Sequence, residues 1–132
     1  MNIQLSHEKS RVPVTVFHIT GAIDSSNYHD LDIVASTAID DGARFVLLDL
    51  AEVSFMSSAA LRSLQRLDKK LNALSDGLDT GELQQGILDG SYKSPYLKLL
   101  NPTAPVMLTL KTAGWDMIFE IFKDRQKAIQ AF

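Results

Sequence analysis

The 132-residue sequence contains no cysteine, which excludes disulfide bonds and metal sites built on thiolates. No apolar run approaches the length of a membrane span. The N-terminal stretch "MNIQLSHEKSR" also lacks the basic and then apolar regions of a signal peptide. We therefore expect a cytoplasmic protein that is neither secreted nor attached to a membrane.

Positive charge is also scarce, because 13 lysines and arginines face 16 aspartates and glutamates, for a net charge of −3. Proteins that bind nucleic acid non-specifically carry a basic footprint, so we expect no direct contact with nucleic acid. Hydrophobic residues make up 45% of the chain and charged residues 22%. Such a composition is typical of a globular protein, here a single domain over residues 1–132.

Motifs for cofactors and metals are missing as well. The stretch "GAIDSSNYHD" has Gly21 as its only glycine, so it is not a GxGxxG phosphate loop. The histidines His7, His18 and His29 are spaced by 11 residues each, which matches no metal-binding motif. We therefore predict neither a cofactor nor a metal site.

Strand and helix patterns alternate along the chain. The predicted strands are 3–7, 12–21, 43–51, 96–100 and 117–122, and the predicted helices lie in 24–42, 58–74, 101–114 and 124–132. This order, β-β-α-β-α-β-α-β-α, predicts an α/β fold with a mixed, mostly parallel sheet and about four helices. The acidic stretch 75–94 breaks the alternation and is interpreted as a loop inserted between the second helix and the fourth strand.

Two serines, Ser57 and Ser58, stand between the third strand and the second helix. A nucleophile elbow at this place needs flanking glycines and a histidine partner, but the flanking residues are Met56 and Ala59. A serine here is typical of a helix cap. The first turn of a helix also accommodates a phosphate, because its free N–H groups and its dipole favour negative charge.

Three motifs in the chain resemble those of a known family. They are "ITGAID" at 19–24, "FVLLDLAEVSFMSSAAL" at 45–61 and "LLNPTAPVMLTLKTAGWDMIFEIFKDRQKAI" at 99–129. In this order they resemble the STAS domain of bacterial anti-sigma factor antagonists and sulfate-transporter tails. The resemblance covers nearly all of the chain except 75–94 and implies a STAS (SpoIIAA-like) fold.

The resemblance also implies a function. In the antagonist family an anti-sigma factor kinase phosphorylates the serine that corresponds to Ser58. The unphosphorylated antagonist binds the anti-sigma factor and releases a sigma factor, and a PP2C-type phosphatase resets the phosphorylated form. We therefore expect a non-enzymatic regulator, monomeric or weakly dimeric. Its expected partner-binding residues are Asp24, Ser25, Ser57, Ser58, Ala59, Arg62 and Arg66.

The sequence departs from the family pattern at three positions beside Ser58. Ser57 replaces an aspartate, Ala59 replaces a serine or threonine, and Ala60 replaces a glycine. We expect Ser57 to alter the local charge and Ala60 to fill space that a kinase backbone would use. The departures leave open a second hypothesis, a STAS scaffold without a serine switch in a lipid-transport ABC system or a stress-signalling assembly.

Overall fold

The structure is a computed structural model that describes residues 1–74 and 93–132. Five strands and four α-helices follow one another in the described residues, in the order that the sequence predicts. They are β1 (Asn2–Lys9), β2 (Pro13–Thr20), α1 (Tyr28–Asp40), β3 (Val46–Glu52), α2 (Ser58–Leu74), β4 (Leu97–Leu100), α3 (Ala104–Ala113), a 3₁₀ turn (Trp115–Met117), β5 (Ile121–Phe122) and α4 (Arg125–Gln130). Of the predicted insertion at 75–94, all but Lys93 and Ser94 lies outside the described residues.

The strands form one mixed sheet in the order β1-β2-β3-β4-β5. β1 is antiparallel to β2, and the other neighbours are parallel. β3 is the central strand, and both of its faces are covered by apolar layers. This position fits its continuous run of hydrophobic residues, because such a strand is stable only when both faces are buried. The predicted fold class is therefore confirmed.

Two apolar layers cover the two faces of the sheet. On one face α1, α2 and α3 pack on Phe17, Leu48 and Leu99. On the other face the C-terminal segment contributes Ile129 and Phe132, which pack with residues of β2, β3 and β4. The three crossover helices share one face because each parallel connection moves one strand further in the same direction and has the same hand.

Three segments differ from the sequence-based expectation. β1 extends to Lys9, two residues beyond the predicted strand 3–7, which shortens the hairpin loop before β2. The predicted strand 117–122 shrinks to Ile121–Phe122, because Gly114 adopts a left-handed conformation and starts a 3₁₀ turn. Ser94, predicted to end the inserted loop, is fully buried, and its hydroxyl donates to Asp68 Oδ1 at 2.5 Å.

Candidate partner-binding site

Two loops meet at the edge of the sheet where the parallel strands end. The loop after β2 and the loop after β3 are joined by backbone hydrogen bonds. The Ile23 N–H donates to the Phe55 carbonyl and the Ser57 N–H donates to the Ile23 carbonyl, both at 2.9 Å. These bonds hold the Asp24 loop beside the start of α2, so the two parts of the predicted site are brought together.

The two serines at the start of α2 have different surroundings. Ser57 is the cap, since its Oγ accepts a hydrogen bond from the Ala60 N–H at 3.3 Å. Ser58 is the first residue of the helix, and it is exposed. Its hydroxyl has no hydrogen bond to any residue that the structure describes. The predicted cap is therefore confirmed at Ser57, and Ser58 keeps an accessible hydroxyl.

Asp24 organises the neighbouring loop through its carboxylate. Oδ1 accepts hydrogen bonds from the Ser26 hydroxyl at 2.5 Å and from the Ser26 N–H at 2.9 Å. The hydroxyl bond, followed by the N–H bond, holds the pKa of Asp24 below its ordinary value. Asn27 closes the loop, because its Oδ1 accepts from the Asp24 N–H and its Nδ2 donates to the Ala22 carbonyl.

The sequence predicts a helix over 24–42, with Asp24, Ser25 or Ser26 as residues that can cap it, but none of the three caps the helix. α1 begins at Tyr28, and Asn27 occupies its cap position without a side-chain capping bond. The reason is that the side chains of Asp24 and Asn27 are engaged within the loop itself. Ser25 is exposed at the tip of this loop.

The two arginines predicted to bind a partner are in different situations. Arg66 pairs with Asp32 of α1 at 2.8 Å, donates to Ser63 Oγ at 3.0 Å and lies over the Tyr28 ring. It therefore connects α2 to α1. Arg62 lies one turn from Ser58, is exposed and has no hydrogen bond or ion pair within residues 1–74 and 93–132.

The alanines that replace family residues differ in burial. Ala59 is half-buried at the surface, whereas Ala60 is fully buried in the core against the sheet. The expectation that Ala60 fills space needed by a kinase backbone is therefore wrong, since its methyl group points into the protein. The substitution changes the packing under the helix rather than the accessible surface.

Phe55 is a surface residue that the sequence reasoning missed. Its side chain is 47% exposed, although Val53 and Met56 on either side of it are buried. The Phe55 carbonyl accepts a hydrogen bond from the Ile23 N–H, and the nearby Val53 carbonyl accepts one from the Thr103 hydroxyl at 2.7 Å. The sequence feature that could have indicated Phe55 is an aromatic residue in a short loop close to the two serines.

The histidines make no hydrogen bond to Ser57 or Ser58 in the residues that the structure describes. His18 contacts Asp49 at 2.9 Å and Ser6 at 3.3 Å on the sheet, and His29 stacks on Tyr28. In the described part of the chain, no three histidine or carboxylate side chains are arranged to hold a metal ion. None of the described helices is long and apolar enough to cross a membrane.

Fold and site together define a STAS domain. The family model of the STAS domain matches residues 6–75, which is more than half of the chain. The chain therefore belongs to the STAS domain family.

The sequence identity between this chain and individual relatives is low. The chain is 28% identical over 114 residues to BtrV of Bordetella bronchiseptica, described as a candidate anti-sigma factor antagonist, and the match covers 86% of this chain and 82% of BtrV. The anti-sigma factor antagonist SpoIIAA in its unphosphorylated form is similar with a TM-score of 0.69 and 21% identity, over 97% of this chain and 93% of SpoIIAA. The phosphorylated form of Bacillus SpoIIAA is similar with a TM-score of 0.62 and 19% identity, over 97% of this chain and 96% of that one.

Proposed function

We propose that this protein is an anti-sigma factor antagonist. It binds an anti-sigma factor through one surface and thereby frees a sigma factor. We call this surface the switch surface, and it consists of Asp24, Ser25, Phe55, Ser57, Ser58, Ala59 and Arg62. The proposal is supported by family membership, by the descriptions of BtrV and SpoIIAA, and by two loops fixed to each other around an exposed serine.

The observation that carries the proposal is the division of roles between the two serines. Ser57 caps α2, so the Ser58 hydroxyl is not needed for the helix and stays exposed. A phosphate on Ser58 would lie at the positive end of the helix dipole and cost the fold little. It would add about −1.5 to −2 charge at the centre of the switch surface, which is enough to oppose a partner that fits the neutral surface.

The proposed partner is an anti-sigma factor that is also a serine kinase, and the proposed resetting enzyme is a PP2C-type phosphatase. The protein acts by binding and release rather than by catalysis. Phe55 supplies an exposed aromatic side chain on the switch surface, and aromatic residues are prominent among those that contribute most to binding. Arg66 belongs to the proposed contacts only at the rim, because its guanidinium already pairs with Asp32.

Phosphorylation by the kinase is tested by intact mass. The purified protein is incubated with ATP and each serine-kinase anti-sigma factor encoded in the same genome. We expect one phosphate to be added to the parent and to Ser57→Ala, and none to Ser58→Ala. An unmodified parent, or an unchanged mass gain in Ser58→Ala, would contradict the proposed switch.

A second candidate is a STAS scaffold without a serine switch, in a lipid-transport ABC system or a stress-signalling assembly. The residues that favour it are Ser57, Ala59 and Ala60, which replace three positions of the family motif around Ser58. Affinity purification of the tagged protein from its own cells separates the two candidates. A transporter ATPase without any kinase among the bound proteins would support the scaffold.

A further inference from the structure

Ser58 and Arg62 lie four residues apart on α2, so their side chains project from the same side of the helix. Both are exposed, and Arg62 has no ion pair or hydrogen bond to any described residue. Lys69 is exposed but lies about three turns beyond Ser58, and two other cations on the helix are engaged. Arg66 pairs with Asp32, and Lys70 donates to the Ser36 hydroxyl at 2.6 Å. Arg62 is thus a free cation one turn from the proposed phosphoacceptor.

We propose that Arg62 is the internal ligand of the phosphate on Ser58. The inference rests on the proposed function in so far as Ser58 is the residue that becomes phosphorylated. An acidic group placed four residues before a basic one is the favourable order on a helix. A guanidinium can donate two parallel hydrogen bonds to a phosphate, as it can to a carboxylate, and a phosphate carries more negative charge than a carboxylate.

Of the charged side chains near Ser58 in the described residues, Arg62 is the one placed to bind this phosphate. Arg66 is two turns beyond Ser58, about 12 Å along the helix axis, and is held by α1. Asp24, in the adjoining loop, is negative and repels a phosphate rather than binding it. The residue immediately before Ser58 is the neutral Ser57, so no carboxylate at that position competes for the guanidinium.

This pair explains how phosphorylation releases a partner without a change in the backbone. In the unphosphorylated protein Arg62 is available to an acidic group of the partner. After phosphorylation the same guanidinium turns to the phosphate, and the partner's acidic group meets net negative charge instead. One modification therefore removes an attraction and adds a repulsion on the switch surface.

The test installs phosphoserine at position 58 during synthesis, so that no kinase is needed, and follows the phosphate by ³¹P NMR as the pH is changed. We expect the second pKa of the phosphate to be lower in the parent than in Arg62→Gln, by roughly 0.3 pH units or more. Lys69→Gln is the matched control. It removes one exposed cation far from Ser58 and should leave the phosphate pKa unchanged. Equal phosphate pKa values in the parent and in Arg62→Gln would overturn the pair.

A second readout separates this inference from the proposed function. The Nε–H signal of Arg62 in a ¹⁵N spectrum should shift when position 58 carries a phosphate, and that of Arg66 should not. If the kinase does not modify Ser58 but both NMR results hold, the pair stands and the proposed function fails. If the kinase modifies Ser58 but the phosphate does not sense Arg62, the pair fails alone. The backbone amide spectrum verifies that each variant is folded.

Discussion

Ser57 and Ser58 are adjacent in the sequence, but they occupy different positions relative to α2. Ser57 precedes the helix and its hydroxyl faces back onto the first turn, where it accepts from the Ala60 N–H. Ser58 is already helical, and its side chain faces outward. The sequence predicts that one of the pair caps the helix, but the choice between them depends on where the helix begins.

Replacing the cap should reduce stability without touching the proposed phosphoacceptor. Ser57→Ala removes the bond to Ala60, so we expect the free energy of unfolding to fall by about 1 kcal/mol. Ser57→Asp is the matched control, because aspartate caps as well as serine and favours the positive helix end. Urea unfolding measures both. Equal losses in the two variants would contradict the capping role.

The Asp24 loop gives a prediction in acid. Because the Ser26 hydroxyl donates to the carboxylate, the pKa of Asp24 is lowered, and Ser26→Ala should raise it toward its ordinary value. Because the pKa of Asp24 is lower in the folded than in the unfolded protein, the ionised carboxylate stabilises the folded state. This contribution is present at pH values above the ordinary pKa and is lost as the pH falls through the folded-state pKa. NMR titration of the Asp24 side chain measures the shift, and an unchanged pKa in Ser26→Ala would contradict the contact.

Asp24 also shows a limit of sequence reasoning at this scale. Aspartate followed by serines before a helical pattern predicts a cap, and the residue types are those that cap helices. The same side chains can instead bond within their own turn. Asn27, which bridges to Ala22, decides between the two outcomes, and its contact depends on the folded loop.

At the scale of elements, hydrophobic periodicity predicts the long helices and the central strand well. The stripe on α2 is buried at Leu61, Leu64, Leu67 and Leu71, and only its last member, Leu74, is exposed. Short elements are less predictable. The apolar run 117–122 satisfies the pattern of a strand, but only two of its residues pair with β4, because the 3₁₀ turn precedes them.

Lys98 in β4 gives a prediction at this scale. Its side chain is 3% exposed, pairs with Glu120 at 3.0 Å and lies over the Phe132 ring. Glu120→Gln leaves a buried ammonium without its charge partner, and we expect a loss of about 1–3 kcal/mol in the free energy of unfolding. Lys98→Met keeps the volume and removes the charge, so it should cost less. Urea unfolding that ranks the variants in the opposite order would contradict this view of the pair.

At the scale of the whole molecule, the sheet separates α2, which carries Ser58, from the layer formed by α4. Ile129 is buried against the face that lies opposite α1, α2 and α3. Ile129→Ala should therefore lower the free energy of unfolding by about 2–4 kcal/mol, while phosphorylation of Ser58 in the folded protein continues. Gln130→Ala, exposed on the same helix, is the control. Loss of phosphorylation in a variant that remains folded would contradict this separation.

The overall topology could be predicted because β-α alternation and short connections leave few ways to build a sheet. The motif around Ser58 predicts a site at the start of α2, and this position of the site stays a prediction. The exposure of Phe55 and the lack of a partner for Arg62 among the described residues could not be predicted. Both depend on contacts between elements, such as the one between Arg66 and Asp32.

The central claim is that phosphorylation of Ser58 releases an anti-sigma factor. Calorimetry of the protein, with and without phosphoserine installed at position 58, against the anti-sigma factor that binds it tests this most directly. We expect the unphosphorylated protein to bind and the phosphorylated protein to bind at least about tenfold more weakly, which corresponds to about 1.4 kcal/mol. Equal affinity of the two forms would contradict the claim.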